Sequence, residues 1–132
     1  MTWMEDRVTS TDDVSVLIVD DQATFRSTAR TVVLLADGFT VTAEAESGEE
    51  AVEAAQEVRP DLVLMDINLP GINGIEATRQ IVERAPETVV VLMSTYTAAD
   101  LPADAADCGA RSYVHKEDLF PDVLTDVWAQ HG

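Results

Sequence analysis

Three continuous apolar runs punctuate this chain, and each stops at a polar residue. Val16-Leu17-Ile18-Val19 stops at Asp20-Asp21, Leu62-Val63-Leu64-Met65 at Asp66, and Val89-Val90-Val91-Leu92-Met93 at Ser94. Unbroken β-branched runs of this length read as strands buried on both faces, the mark of a parallel sheet. Two weaker strands complete the set. Phe39 to Ala45 alternates apolar and polar, as an edge strand does, and Ser112 to Val114 is short and leads to Lys116.

Helical periodicity fills the intervals. Phe25, Ala29, Val32, Val33 and Ala36 share one helical face, and Gly38 supplies a C-terminal stop. Ser47-Gly48-Glu49-Glu50 is a capping-box pattern opening a second helix. Its buried stripe is Ala51, Val52, Ala55 and Val58, and Pro60 closes the segment. A third helix starts near Gly74, offers Ile75, Ile81, Val82 and Ala85 to the core, and ends before Pro86. A fourth, weaker helix is predicted between Ala98 and Cys108, with Pro102 tolerated only in its first turn. The last helix is predicted from about Asp118 to Gln130, with Phe120, Leu124, Val127 and Trp128 facing the sheet. Strict alternation of five strands and five helices predicts an α/β fold, doubly wound, with helices on both faces of a parallel sheet. Such sheets bind ligands at the carboxyl ends of their strands, near the point where strand order reverses.

Composition bounds this picture. The length of 132 residues suits one domain, and 46% hydrophobic with 25% charged residues is globular rather than disordered. Residues 1–13, acidic and polar, read as a flexible N-terminal tail carrying Trp3, with the folded domain spanning 14–132. They show no secretion pattern, and no apolar run approaches membrane-spanning length, so a cytoplasmic protein is expected. The net charge of -17 argues against direct contact with nucleic acid or an anionic membrane. It leaves solubility and a basic partner surface both open. The single cysteine, Cys108, excludes an internal disulfide, and its Ala-rich setting suits a small buried residue.

The candidate chemistry lies at the strand ends. Asp20 and Asp21, Asp66, Ser94 and Lys116 each follow a different strand, so four strands deliver polar side chains to one end of the sheet. Three carboxylates in one pocket repel one another unless a cation or proton intervenes. Hard oxygen ligands suit Mg²⁺. Such a cation with Lys116 and a hydroxyl can hold a phosphoryl group, and a carboxylate can serve as its nucleophile. The competing reading is a solvated acidic rim with Lys116 as a surface ion pair. It leaves the shared strand-end placement to coincidence.

From about Ser15 to Gln130 the chain resembles the receiver domain of bacterial response regulators, the phosphoacceptors of two-component signalling. The matching pieces are Leu17-Ile18-Val19-Asp20-Asp21, the segment Leu64 to Gly71 with Gly74 after it, Val91-Leu92-Met93-Ser94, and Gly109 to Lys116. The resemblance implies a flavodoxin-like strand order 2-1-3-4-5 and a phosphoacceptor at Asp66. It implies Mg²⁺ (or Mn²⁺) held by Asp21, Asp66 and the backbone carbonyl of Asn68, with Asp20 acting through water. Lys116 would pair with the phosphoryl oxygens and Ser94 would move toward them. Tyr113 would change rotamer in response, while Asn68, Thr95 and Tyr96 would tune access and lifetime. The implied partners are a histidine kinase or histidine phosphotransfer protein and a downstream protein. A homodimer through the face of the fourth helix, fifth strand and fifth helix is a further candidate.

Three departures stand out. Glu117 follows Lys116 where many receivers have proline, so a cis peptide is less expected. Thr95 replaces a frequent alanine, and Pro102 marks an unusual fourth helix. His115 and His131 show no metal-ligand spacing and read as surface residues. The stretch from Asp21 to Arg26 is similar to receivers of LuxR-type transcription regulators. The chain stops at Gly132, so a single-domain signalling switch, not an enzyme, is the expectation. The receiver half of a longer DNA-binding regulator is an alternative. An aspartyl-phosphate phosphohydrolase is another, although its Asp-x-Asp motif is met here only by Asp66-Ile67-Asn68.

Overall fold

The computed structural model describes residues 13–97 and 100–132. The alternation read from the sequence is realised as β1 (Val14–Val19), α1 (Ala23–Leu35), β2 (Phe39–Ala45), α2 (Gly48–Val58), β3 (Leu62–Asp66), α3 (Gly74–Arg84), β4 (Val89–Ser94), β5 (Ser112–His115) and α4 (Pro121–His131). All neighbouring strands are parallel, in the order β2-β1-β3-β4-β5. This is the flavodoxin-like arrangement. Order reverses at β1 and β3, so the ends of those two strands open a crevice.

The pleat distributes the apolar runs between two layers. Val16, Ile18, Leu64, Val91 and Met93 pack against Ala29 and Val33 of α1 and Leu124 and Val127 of α4. Leu17, Val19, Val63, Met65, Val90 and Leu92 pack against Ala51 of α2 and Ile75 and Ile81 of α3. Because both faces are covered, the three central strands show no polar alternation. Among the described residues, no helix is long and apolar enough to cross a membrane.

The capping box read at Ser47 forms, whereas α1 ends at an extended Ala36 cap, two residues before the expected stop at Gly38. Ser47 Oγ accepts from the Glu50 amide at 3.1 Å, and Glu50 reaches back to the Glu46 amide at 2.9 Å. Asn73 caps α3 by accepting from Glu76 N at 2.9 Å. Cys108 is buried, and its thiol donates to Ala105 O.

Four expectations are corrected. No α-helix forms among the described residues between β4 and β5; Ala103–Asp107 is a 3₁₀ helix. Pro102 sits at its start, where it has no N–H to give and cannot continue a preceding turn. Lys116–Asp118 is likewise a 3₁₀ turn, so the last helix begins only at Pro121. Phe120 therefore lies outside the helix and is 58% exposed, while Leu119 takes the buried place. Val58 ends α2 beside the left-handed Arg59 (φ 47°) and points past the core into solvent. Of the expected N-terminal tail, residues 1–12, including Trp3, lie outside the described residues.

Candidate functional site

Asp20 follows the last residue of β1, and its side chain is fully buried. Its Oδ1 accepts from the Gln22 amide at 2.8 Å, turning the chain into α1. Arg26, one turn into that helix, donates from Nη1 to the Asp20 carbonyl at 2.7 Å. Glu44 and Glu46 of the β2 edge hold the same guanidinium at 3.4 and 3.6 Å. The backbone of Asp20 is thereby pinned from the α1 side.

Asp66 ends β3 and is also buried. The loop after it turns tightly: the Gly74 amide donates to Ile67 O at 2.8 Å. A Cβ on Gly74 would lie 2.0 Å from the Asp66 carbonyl oxygen, so this approach requires glycine. Glu49 of α2 steadies the loop from outside by accepting from the Ile72 amide at 3.0 Å.

Lys116 comes from the opposite side, past β5. Its Nζ stands 2.6 Å from Asp20 Oδ2 and 3.5 Å from Asp66 Oδ2. The ring of Phe25 lies 4.6 Å from the same ammonium and shields it from water. Asp21 is exposed at the mouth. Carboxylate oxygens of Asp20, Asp21 and Asp66 all lie within 4.8 Å of one another.

One lysine does not satisfy three carboxylates. Burial, and then the charge of Asp20, push the Asp66 carboxyl up from 3.8 to about 6, against the opposing pull of Lys116 and the Asn68 amide. Asp20 Oδ2 has its charge contact with Lys116 but no well-aligned hydrogen bond. The pocket is thus short of positive charge, holds an under-coordinated buried oxygen, and offers only hard oxygen donors. These residues fit a divalent cation of the magnesium type.

Ser94 ends β4 with its hydroxyl buried. Its Oγ accepts from the Tyr96 amide at 3.0 Å and lies 3.0 Å from the Tyr113 hydroxyl. The Tyr113 hydroxyl also reaches the carbonyl oxygens of Tyr96 and, at 3.3 Å, Ser94. In its contact with Ser94 Oγ either hydroxyl can donate. Thr95 and Tyr96 are exposed on the loop that follows.

The family model for the response regulator receiver domain matches residues 16–127. The chain belongs to that family. This receiver is 36% identical over 122 residues to the transcriptional regulatory protein DegU of Brevibacillus brevis, covering 90% of this chain and 51% of that protein. Its fold matches a LuxR-family two-component response regulator from Aurantimonas sp. SI85-9A1 with a TM-score of 0.79 and 31% identity, over 89% of this chain and 84% of the other. The response regulator domain of Thermotoga maritima CheB matches with a TM-score of 0.80 and 31% identity, over 90% and 96% of the two chains. The receiver spans about half the length, or less, of the curated relatives it matches.

The expected strand-end residues Asp20, Asp21, Asp66 and Lys116 do converge. Ser94 and Tyr113 are joined beside them, with Tyr113 turned inward onto the β4 loop. The sequence reading missed the part played by Phe25, Arg26 and Glu49. Phe25 was assigned only to the helix core, although its place four residues after Asp21 puts it one turn from the acidic pair. His115, read as a surface residue, is half-buried and engaged through both ring nitrogens.

Proposed function

We propose that this receiver accepts a phosphoryl group on Asp66 from the imidazole of a histidine kinase or histidine phosphotransfer protein. The rearrangement that follows alters its binding to a downstream protein. The observation that carries this reading is the buried Asp66 carboxylate, 3.5 Å from Lys116 Nζ within a three-carboxylate cluster at the crevice of the sheet.

An Asp66 oxygen attacks phosphorus, the P–N bond to the donor imidazole breaks, and the departing imidazole keeps the electron pair and takes up a proton. Lys116, already beside Asp66, supplies fixed positive charge to the phosphoryl oxygens as the bond forms. Mg²⁺ (or Mn²⁺), which Asp21, Asp66 and the Asn68 carbonyl would hold with Asp20 acting through water, would neutralise charge on carboxylates and phosphate alike. Ser94 donates its hydroxyl to the new phosphoryl group, releasing Tyr113 to change rotamer. Asn68, Thr95 and Tyr96 border the pocket and govern the approach of the water that would hydrolyse the product. The chain acts as a phosphoacceptor that assists its own modification rather than as an enzyme on outside substrates. A bacterial, cytoplasmic setting, no direct contact with DNA or membrane, and homodimerisation through the 3₁₀ segment, β5 and α4 complete the reading.

A second reading has its own support. DegU is a transcriptional regulatory protein, and this chain spans 51% of it. The receiver would then govern a DNA-binding partner domain in a longer protein.

Incubation with a small acyl phosphate and Mg²⁺, followed by intact-mass analysis, tests the assignment. One base-labile phosphate adduct is expected on the wild type and none on Asp66→Asn. An unmodified wild type, or the same adduct on Asp66→Asn, overturns it.

A further inference from the structure

The imidazole of His115 joins the two loops that carry the hydroxyl and the ammonium of the site. Its Nε2 lies 3.0 Å from the Thr95 carbonyl oxygen, in the loop after β4. Its Nδ1 accepts from the Glu117 amide at 3.1 Å, in the turn after β5. A carbonyl oxygen only accepts and the amide N–H only donates, so the tautomer is fixed: the proton resides on Nε2 and Nδ1 is bare.

Tyr113, two residues earlier on the same strand, projects from the same face. Its hydroxyl donates to the Tyr96 carbonyl. Two neighbouring side chains of β5 therefore hold two consecutive carbonyls of the β4 loop. In this arrangement Ser94 is fully engaged, with Tyr96 N and the Tyr113 hydroxyl each at 3.0 Å from its Oγ. To reach a phosphoryl group on Asp66 the hydroxyl must leave both partners. Thr95 is the next residue in the chain, so a backbone displacement that brings Ser94 toward Asp66 would carry the Thr95 carbonyl with it.

We propose that His115 is a positioning residue that latches the β4 loop in the unphosphorylated arrangement through its hydrogen bond to Thr95. The latch rests on the phosphoacceptor reading of Asp66 and adds a control on the switch that does not touch the reacting atoms. Tyr113 alone does not account for it, because the two side chains hold different carbonyls. Opening the switch requires both bonds to yield.

The two arms of the imidazole can be separated. His115→Asn keeps an acceptor for the Glu117 amide but is too short to reach Thr95. His115→Gln extends an N–H donor to about the reach of Nε2. His115→Phe removes both arms and keeps the ring. Beryllium fluoride with Mg²⁺ serves as the phosphoryl mimic, and its apparent affinity is read by calorimetric titration of the intact chain. Loss of one neutral hydrogen bond from the unliganded state corresponds to about fivefold tighter binding. That gain is expected for His115→Asn and His115→Phe, with His115→Gln close to the wild type. Asn and Gln variants that shift together, or variants that all match the wild type, overturn the latch.

A second readout uses the wild type alone. Imidazole ¹⁵N shifts should report a bonded Nε2–H that is released when beryllium fluoride and Mg²⁺ are added; unchanged shifts sink the proposal even if a variant fails to fold. Asp66→Asn separates the two ideas. Binding that is absent in the wild type, or unaffected by Asp66→Asn, removes the phosphoacceptor reading and the latch with it. Asp66-dependent binding that ignores His115 removes the latch alone.

Discussion

The Asp66 carboxyl is held where its charged form is disfavoured. The unfolded chain releases this proton near 3.8 and the folded chain near 6, so between those values the folded state binds more protons. Stability of the metal-free protein therefore falls as pH rises through this window and stays lower above it. Asp66→Asn removes the penalty. In urea unfolding with a chelator, the variant should gain on the order of 2 kcal/mol over wild type at pH 8. It should gain nothing at pH 3, where both states of the wild type are protonated. An equal gain at both pH values would mean that packing, not charge, separates the two proteins.

Single elements differ in how far their local sequence dictates them. α3 starts where Asn73 meets the Glu76 amide and where Gly74 lets the backbone pass the Asp66 carbonyl. Replacing the cap by Asn73→Ala should cost about 1 kcal/mol in denaturant unfolding. Gly74→Ala should cost more, about 3 kcal/mol, because backbone rather than a flexible side chain blocks the new methyl. It should also slow phosphate uptake, since the strain falls on Asp66 itself. If the two variants prove equally stable, the close approach at Gly74 is not a constraint. The segment from Ala98 to Cys108 shows the opposite case. Its alanines favour a helix, yet Pro102 and the lack of a long apolar stripe leave nothing to hold one against the sheet. The described part settles into a 3₁₀ turn around buried Ala105. Among the described residues no α-helix lies between β4 and β5, and β5 is a four-residue edge strand whose Tyr113 and His115 side chains bond the β4 loop.

Across the whole molecule, acidic residues outnumber basic ones by 17, and three carboxylates share one pocket. Self-repulsion of this kind weakens the compact state, and ions relieve it in two ways. Sodium chloride screens the surface generally. Mg²⁺ would bind the folded pocket only, and at concentrations well above its dissociation constant adds stability by mass action. Millimolar Mg²⁺ should raise the melting temperature by several degrees beyond sodium chloride at matched ionic strength. That excess should vanish in Asp21→Asn with Asp66→Asn. A wild type that responds alike to both salts would argue against a formed cation site.

The sequence by itself determined the sheet, its buried central strands and the residues at their carboxyl ends. Those features are local: an unbroken apolar run, a polar stop, a cap three residues from its partner. Asp20, Asp66 and Ser94 were legible because each directly follows such a run, and Lys116 because it ends the short, weaker strand after them. Tertiary structure decided what these residues touch. Phe25 over Lys116, Arg26 on the Asp20 carbonyl and His115 between Thr95 and Glu117 depend on strand register, helix placement and side-chain reach. Contacts such as Phe25 with Lys116 and His115 with Thr95, between segments far apart in the chain, leave no periodicity behind, because they arise from the packed arrangement of whole elements.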